Sequence, residues 1–149
     1  MNEVAEQYDI NESFPMLMSN CVKLMRESLN ARLIKNGFML SSEQWILLVF
    51  LAKQDGITQQ VLAGHCGITK VSVLNLIKKL EKTGLIVRHP DPVDGRSNRV
   101  YLTLEGRELQ QALIPIVNEN TQRIMQGIDD NDIEHLKQTV RRIITNLNK

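Results

Sequence analysis

The residues with most chemistry to offer lie between Thr58 and Arg99 of this 149-residue chain. A helix starting after Thr69 would turn Lys70, Val71, Ser72, Asn75 and Lys79 outward, with Leu76 and Leu80 inward. That outward set suits the major groove of double-stranded DNA. Asn75 carries a donor and an acceptor together, matching adenine N7 and N6, while Ser72 can meet phosphate or base and Val71 a thymine methyl. Lys78, Lys79 and Lys82 fit backbone phosphates, and would serve equally as a solvated face. Thr58, Gln59 and Gln60 open the preceding helix, whose free backbone N–H groups can hold a phosphate. Further on, Asp94-Gly95-Arg96-Ser97-Asn98-Arg99 places arginine at a turn. Arg96 on a mobile loop suits a narrow, electronegative minor groove, with Asp94 two residues earlier to hold it by an ion pair. The plainer reading of this tip is a solvent-exposed turn with incidental charges.

Charge distribution supports an anionic partner. The net charge is only +1, yet residues 68–99 hold seven bases against three acids, and residues 1–57 five bases against seven acids. Other chemistries find no foothold. There is no nucleophile–base pair, phosphate-binding glycine loop or paired catalytic carboxylate, so an enzyme is not expected. His65, Cys66, His89 and His135 lack partners at helical ligand spacing, so neither a metal nor a cofactor is expected. Cys21 and Cys66 are too few for a disulfide scaffold and read as small buried hydrophobes, with a reactive Cys21 as the alternative. The opening residues hold four acids and no base through Glu12, unlike a secretory signal, and the longest apolar run, Trp45 to Ala52, is too short for a bilayer. A cytoplasmic protein without a membrane partner is the expectation.

Scarce aromatics and abundant Leu, Ile, Val and Met favour a mainly α fold. A first helix runs from Ser13 or Pro15 to about Asn36. Ser41-Ser42-Glu43-Gln44 is a capping box opening a second, centrally buried helix. Ile57 adds a short strand residue, Thr58 caps a helix to about His65, and Thr69 caps another to Thr83. Leu85 to Pro90 and Ser97 to Leu102 form a hairpin around the turn-rich residues 91–95. Thr103 caps a long helix to about Gly127, with a possible kink at Pro115, and residues 129–132 start the last helix. Two helices joined at a glycine and followed by a hairpin have the order of a winged helix-turn-helix. Leu62, Ala63, Ile68, Val73 and Leu76 would lock the helices, and Gly67 would make the turn.

Ser41-Ser42-Glu43-Gln44-Trp45, Gly56-Ile57-Thr58-Gln59-Gln60-Val61-Leu62-Ala63 and Gly67-Ile68-Thr69-Lys70-Val71-Ser72 resemble the MarR family of bacterial transcriptional regulators. Leu80-Glu81-Lys82-Thr83-Gly84-Leu85-Ile86-Val87-Arg88, Asp94-Gly95-Arg96-Ser97 and Leu102-Thr103-Leu104-Glu105-Gly106 carry its most specific signature. The resemblance covers about residues 12–148. It implies an obligate homodimer in which residues 1–36 and 104–149 form a helical dimerisation region around the winged domain, residues 37–103. It also implies that the helix from Thr69 reads the major groove and that Asp94 and Arg96 are the wing pair. The implied function is a repressor on a palindromic operator, relieved by a small aromatic or amphipathic effector in a cleft; Trp45 reads first as a core residue, with lining of that cleft as the alternative. Ile114, Val117, Ile124, Ile128, Leu136, Val140, Ile143 and Leu147 are the expected interface. Leu74-Asn75 departs from the polar Thr-Arg pair frequent in the family, and Lys78 stands where an acid is common. Some members sense oxidants through a cysteine of the first helix, which makes a Cys21 sensor one alternative. A winged-helix protein-interaction module is another; it would not need Arg96.

Overall fold

Polar residues with short side chains mark the helix starts, and all but Ser13, ahead of the first long helix, cap with the side chain. In the computed structural model, which describes residues 8–149, a 3-10 turn (Ile10–Glu12) precedes α1 (Phe14–Lys35). The first seven residues of the expected dimerisation region lie outside the described residues. Ser41 Oγ accepts from Gln44 N–H while Gln44 Oε1 accepts from Ser41 N–H, closing the capping box that opens α2 (Ser42–Lys53). Thr58, Thr69, Thr103 and Asp129 accept backbone N–H groups at the starts of α3 (Gln59–Cys66), α4 (Lys70–Lys82), α5 (Leu104–Ile124) and α6 (Asp130–Leu147). α5 continues through Pro115 and stops three residues short of the expected Gly127.

The strands are β1 (Ile57–Thr58), β2 (Ile86–Pro90) and β3 (Asn98–Leu102), antiparallel in the order β1-β3-β2. Ile57 faces Val100 and Thr58 faces Arg99, so the hairpin gains a third strand directly ahead of α3. This pairing fixes the start of the helix-turn-helix against the wing.

The core forms where α2 meets its neighbours: Leu47, Leu48 and Leu51 are fully buried with Leu33, Leu62, Ile77, Leu80, Ile86, Val100 and Leu113. The helix-turn-helix contacts fall where the spacing puts them. Leu62, Ala63, Val73 and Leu76 are buried, Ile68 packs against them, and Gly67 sits at φ 64°, a conformation cheap for glycine. One expectation fails: Cys21 is exposed, not buried. α1 packs through its C-terminal half, around Leu29 and Leu33, whereas the half carrying Cys21 leaves Phe14, Leu17, Val22 and Leu24 exposed as well.

Candidate nucleic-acid interface

α4 is divided lengthwise. Val73, Leu76, Ile77 and Leu80 are buried, while Lys70, Val71, Ser72, Asn75, Lys78, Lys79 and Lys82 are exposed. Thr69 Oγ1 accepts from Ser72 N–H at 3.1 Å and lies 3.0 Å from Ser72 Oγ, so the two hydroxyls are linked at the helix start. At the start of α3, Thr58 Oγ1 takes Val61 N–H, Gln60 is exposed and Gln59 is half-buried. A polar cleft of about 210 Å³ brings Gln59 and Gln60 of α3, Lys70 of α4, and Arg96, Ser97 and Asn98 of the wing together.

The wing is cross-linked by hydrogen bonds centred on Asp91. Asp91, 8 % exposed, accepts Val93 N–H at 2.8 Å and Asp94 N–H at 3.3 Å through Oδ1, and Arg99 Nε at 3.1 Å through Oδ2. Arg99 Nη1 then donates to the Gly56 carbonyl at 2.8 Å, and the backbone closes from Asp91 N–H to Ser97 O and from Ser97 N–H to Asp94 O. Asp94 does not pair with the Arg96 guanidinium; its Oδ1 accepts the Arg96 backbone N–H at 3.1 Å. A carboxylate two residues before an N–H makes an Asx turn more readily than it reaches a long side chain pointing away. Arg99, expected on the DNA, is thus engaged at the base of the wing. Hydrogen bonds from Val93 first, then Asp94, with the Arg99 charge beside them, hold the Asp91 carboxyl below the usual carboxylate range.

A second ion pair crosses the interface. Arg88 of β2 grips Glu81 of α4 with Nε and Nη2, each at 2.9 Å, and Nη1 donates to Gln59 Oε1 at 3.2 Å. These bonds lower the Glu81 pKa and raise that of Arg88. Of the seven bases in residues 68–99, Arg88 and Arg99 are internally paired. Among the described residues Lys70, Lys78, Lys79, Lys82 and Arg96 have no ion-pair partner and are exposed, and Lys70 and Arg96 share the polar cleft. Structure thereby concentrates the free positive charge that composition only suggests. The turn signal around Asp91-Pro92 was legible, but the roles of Asp91, Glu81 and Arg88 depend on chain reversals that spacing does not reveal.

A second cleft, about 300 Å³ and mostly apolar, lies between α1, α2 and α5. Val22, Met25, Leu29, Ile46, Val117 and Ile124 line it, with Arg26, Ser42, Asn120 and Thr121 as polar groups. Asn120 is 4 % exposed, and its Oδ1 accepts from Ser28 Oγ at 2.9 Å. Trp45 is packed in the core at 9 % exposure, as the apolar run of α2 predicts, and is not among the residues lining the cleft. Helical geometry turns Ser42 and Ile46 of α2 to the cleft in its place. Among the described residues no group of three or more His, Cys, Asp or Glu gathers to hold a metal, and no helix is long and apolar enough to cross a membrane.

A helix-turn-helix whose second helix stands free beside a three-stranded sheet with a projecting hairpin defines a winged helix-turn-helix protein. Residues 40–97 match the model of the MarR family. The chain is 29 % identical over 105 residues to the transcriptional regulator HosA of Escherichia coli O111:H-, covering 70 % of this chain and 78 % of that one. Its fold matches a MarR-family transcriptional regulator from Rhodococcus sp. RHA1 with TM-score 0.80 at 26 % identity, over 91 % of this chain and 94 % of that one. It also matches MepR of S. aureus, solved as a DNA complex, with TM-score 0.78 at 26 % identity, over 90 % and 98 %. The MarR-family match thus falls on the winged unit, and over nine-tenths of its length the chain has the fold of MarR-family transcriptional regulators.

Proposed function

We propose that the protein is a cytoplasmic, homodimeric repressor that binds a palindromic operator and is released by a small aromatic or amphipathic ligand. The observation that carries this reading is the lengthwise division of α4, with its outward face continuous with five unpaired cations. In this reading Thr69, Lys70, Val71, Ser72 and Asn75 enter the major groove, and Asn75 reads adenine. Thr58, Gln59, Gln60, Lys78 and Lys79 hold backbone phosphates, and Arg96 reaches the minor groove from a wing shaped by Asp91 and Asp94.

Residues 37–103 serve as the DNA-binding unit, and residues 1–36 with 104–149 as the dimerisation region. α6 supports that division: it has no buried residue, and Leu136, Ile144 and Leu147 are 54 %, 51 % and 78 % exposed. A face of that kind in a single chain calls for a partner, and a second copy gives a two-fold axis and a palindromic site. The cleft between α1, α2 and α5 offers apolar walls for the ligand, with Arg26 and Asn120 for its polar end. A second reading, oxidant sensing, draws on the exposure of Cys21.

Selection of bound sites from randomised DNA, with sedimentation at micromolar concentration, tests the proposal. The expected results are an enriched inverted repeat and twice the chain mass. A clean monomer overturns the dimer, and failure to enrich any sequence favours a protein-interaction module. A screen for compounds that release the complex, with a peroxide arm, separates ligand relief from oxidation.

A further inference from the structure

We infer that Arg88 is a positioning residue for DNA binding: it fixes the side-chain amide of Gln59 with its N–H₂ group toward the polar cleft, as a donor for a phosphate. The inference rests on the proposed regulator reading and adds a residue that does not itself meet DNA. A guanidinium can only donate, so Gln59 must offer its oxygen, and Arg88 Nη1 stands 3.2 Å from Gln59 Oε1. With the oxygen engaged, the amide nitrogen is the end left for the cleft shared by Lys70, Arg96 and Asn98. A free glutamine would turn either end outward, and its oxygen would repel a phosphate.

Arg88 is itself immobilised. Its fork closes on Glu81 through two bonds of 2.9 Å, and the pair is part-buried between β2 and the last turn of α4. One side chain therefore links the recognition helix, the wing strand and the first residue of α3. Glu81 also cancels the charge of Arg88, which leaves its contribution to DNA binding geometric and not coulombic. Lysine at this position would keep the charge and pair with Glu81, but it has no planar fork to hold Gln59 at the same time.

The test is a double-mutant cycle on the full-length chain with its selected operator, read by affinity and by phosphate-ethylation interference. Gln59→Ala is expected to lower affinity about tenfold and to erase interference at one phosphate per half-site. Arg88→Lys should retain the thermal stability of the wild type, erase the same phosphate, and show no further loss when combined with Gln59→Ala. Arg88→Met supplies a second variant with the same expected footprint should lysine find a compensating pose. Intact interference at that phosphate in both Arg88 variants, or losses that add in the double variant while the wild type binds normally, overturns this inference alone. A wild-type chain that binds no DNA overturns it together with the regulator reading.

Discussion

Replacing Gly106 with alanine tests whether the start of α5 is as tightly sewn to the winged unit as the structure describes. A Cβ at this position would lie 2.0 Å from the Leu85 carbonyl oxygen, 3.0 Å from its carbon and 3.2 Å from Leu102 Cδ2. The obstacle is backbone, so it cannot swing aside. The same Leu85 oxygen accepts Thr103 N–H at 3.1 Å, and Thr103 Oγ1 donates to Gly84 O at 2.7 Å. Opening the gap by about 1 Å strains both bonds, each worth about 1 kcal/mol net. Overpacking adds about 1–3 kcal/mol, and the better helix propensity of alanine returns up to about 1 kcal/mol. With both bonds lost and the full return from propensity, the net loss is about 2–4 kcal/mol, which for a chain of this size is roughly 4–16 °C in Tm. Thermal melts at fixed protomer concentration measure it. Gly64→Ala is the control, because an added Cβ there meets nothing within 4 Å; that variant should melt at or slightly above the wild type. If Gly106→Ala melts at the wild-type temperature or higher, the described packing of α5 on Leu85 is wrong.

Three further outcomes follow from the same geometry. Arg96→Ala should leave the melting temperature unchanged, weaken operator binding by about 1–3 kcal/mol per protomer and reduce the salt slope by about 1 per protomer; unchanged affinity and slope would mean the wing tip is only a charged turn. Asn75→Ala should flatten the preference at one base pair per half-site with non-specific binding intact, whereas Lys79→Ala should weaken all sequences alike; profiles across single-base operator variants decide both. Asp91 and Glu81 have folded-state pKa values below their unfolded ones, so their contribution is complete above about pH 5 and is lost as the pH falls through the acid range. Asp91→Asn should flatten part of that acid limb, and an unchanged profile in a pH series of melts would contradict the wing staple.

What was legible in the sequence was local. Caps announce themselves within three residues, as at Ser41 and Gln44, Thr58, Thr69 and Thr103, because the side chain and the N–H that it satisfies are adjacent in the chain. The outward face of α4 followed from helical period alone. The misreadings concern where chain segments return. Arg99 looks free beside Arg96, but Asp91 lies across the hairpin and Gly56 across the sheet, 43 positions away. Cys21 was misjudged for a related reason. Burial depends on which face of a helix meets neighbours distant in sequence, and an apolar or small residue is compatible with both outcomes. Gly106 shows the opposite limit: its motif was recognised, but its physical cause, a carbonyl oxygen 2.0 Å from an absent Cβ, exists only once α5 is docked.

The two clefts give the proposed mechanism a mechanical form. α4 and the wing are joined by Arg88 and Glu81, while Asp91 and Arg99 tie the base of the wing to the Gly56 carbonyl ahead of β1, so the proposed DNA-reading surface is cross-linked within a protomer. In the proposed dimer, a palindromic site therefore measures the distance and angle between two such cross-linked units. In that proposal the relation is set by α1, α5 and α6, which carry exposed apolar residues such as Leu17, Ile114, Leu136 and Leu147. α2 stands between the two sets: its Leu47, Leu48 and Leu51 belong to the core that supports α4, and its Ser42 and Ile46 border the apolar cleft with α1 and α5. Under the proposed function, a ligand in that cleft acts on the joint between reading unit and spacer. To release the operator it needs only to favour a spacing the DNA does not accept, and by linkage the operator must lower the affinity for the ligand by the same factor.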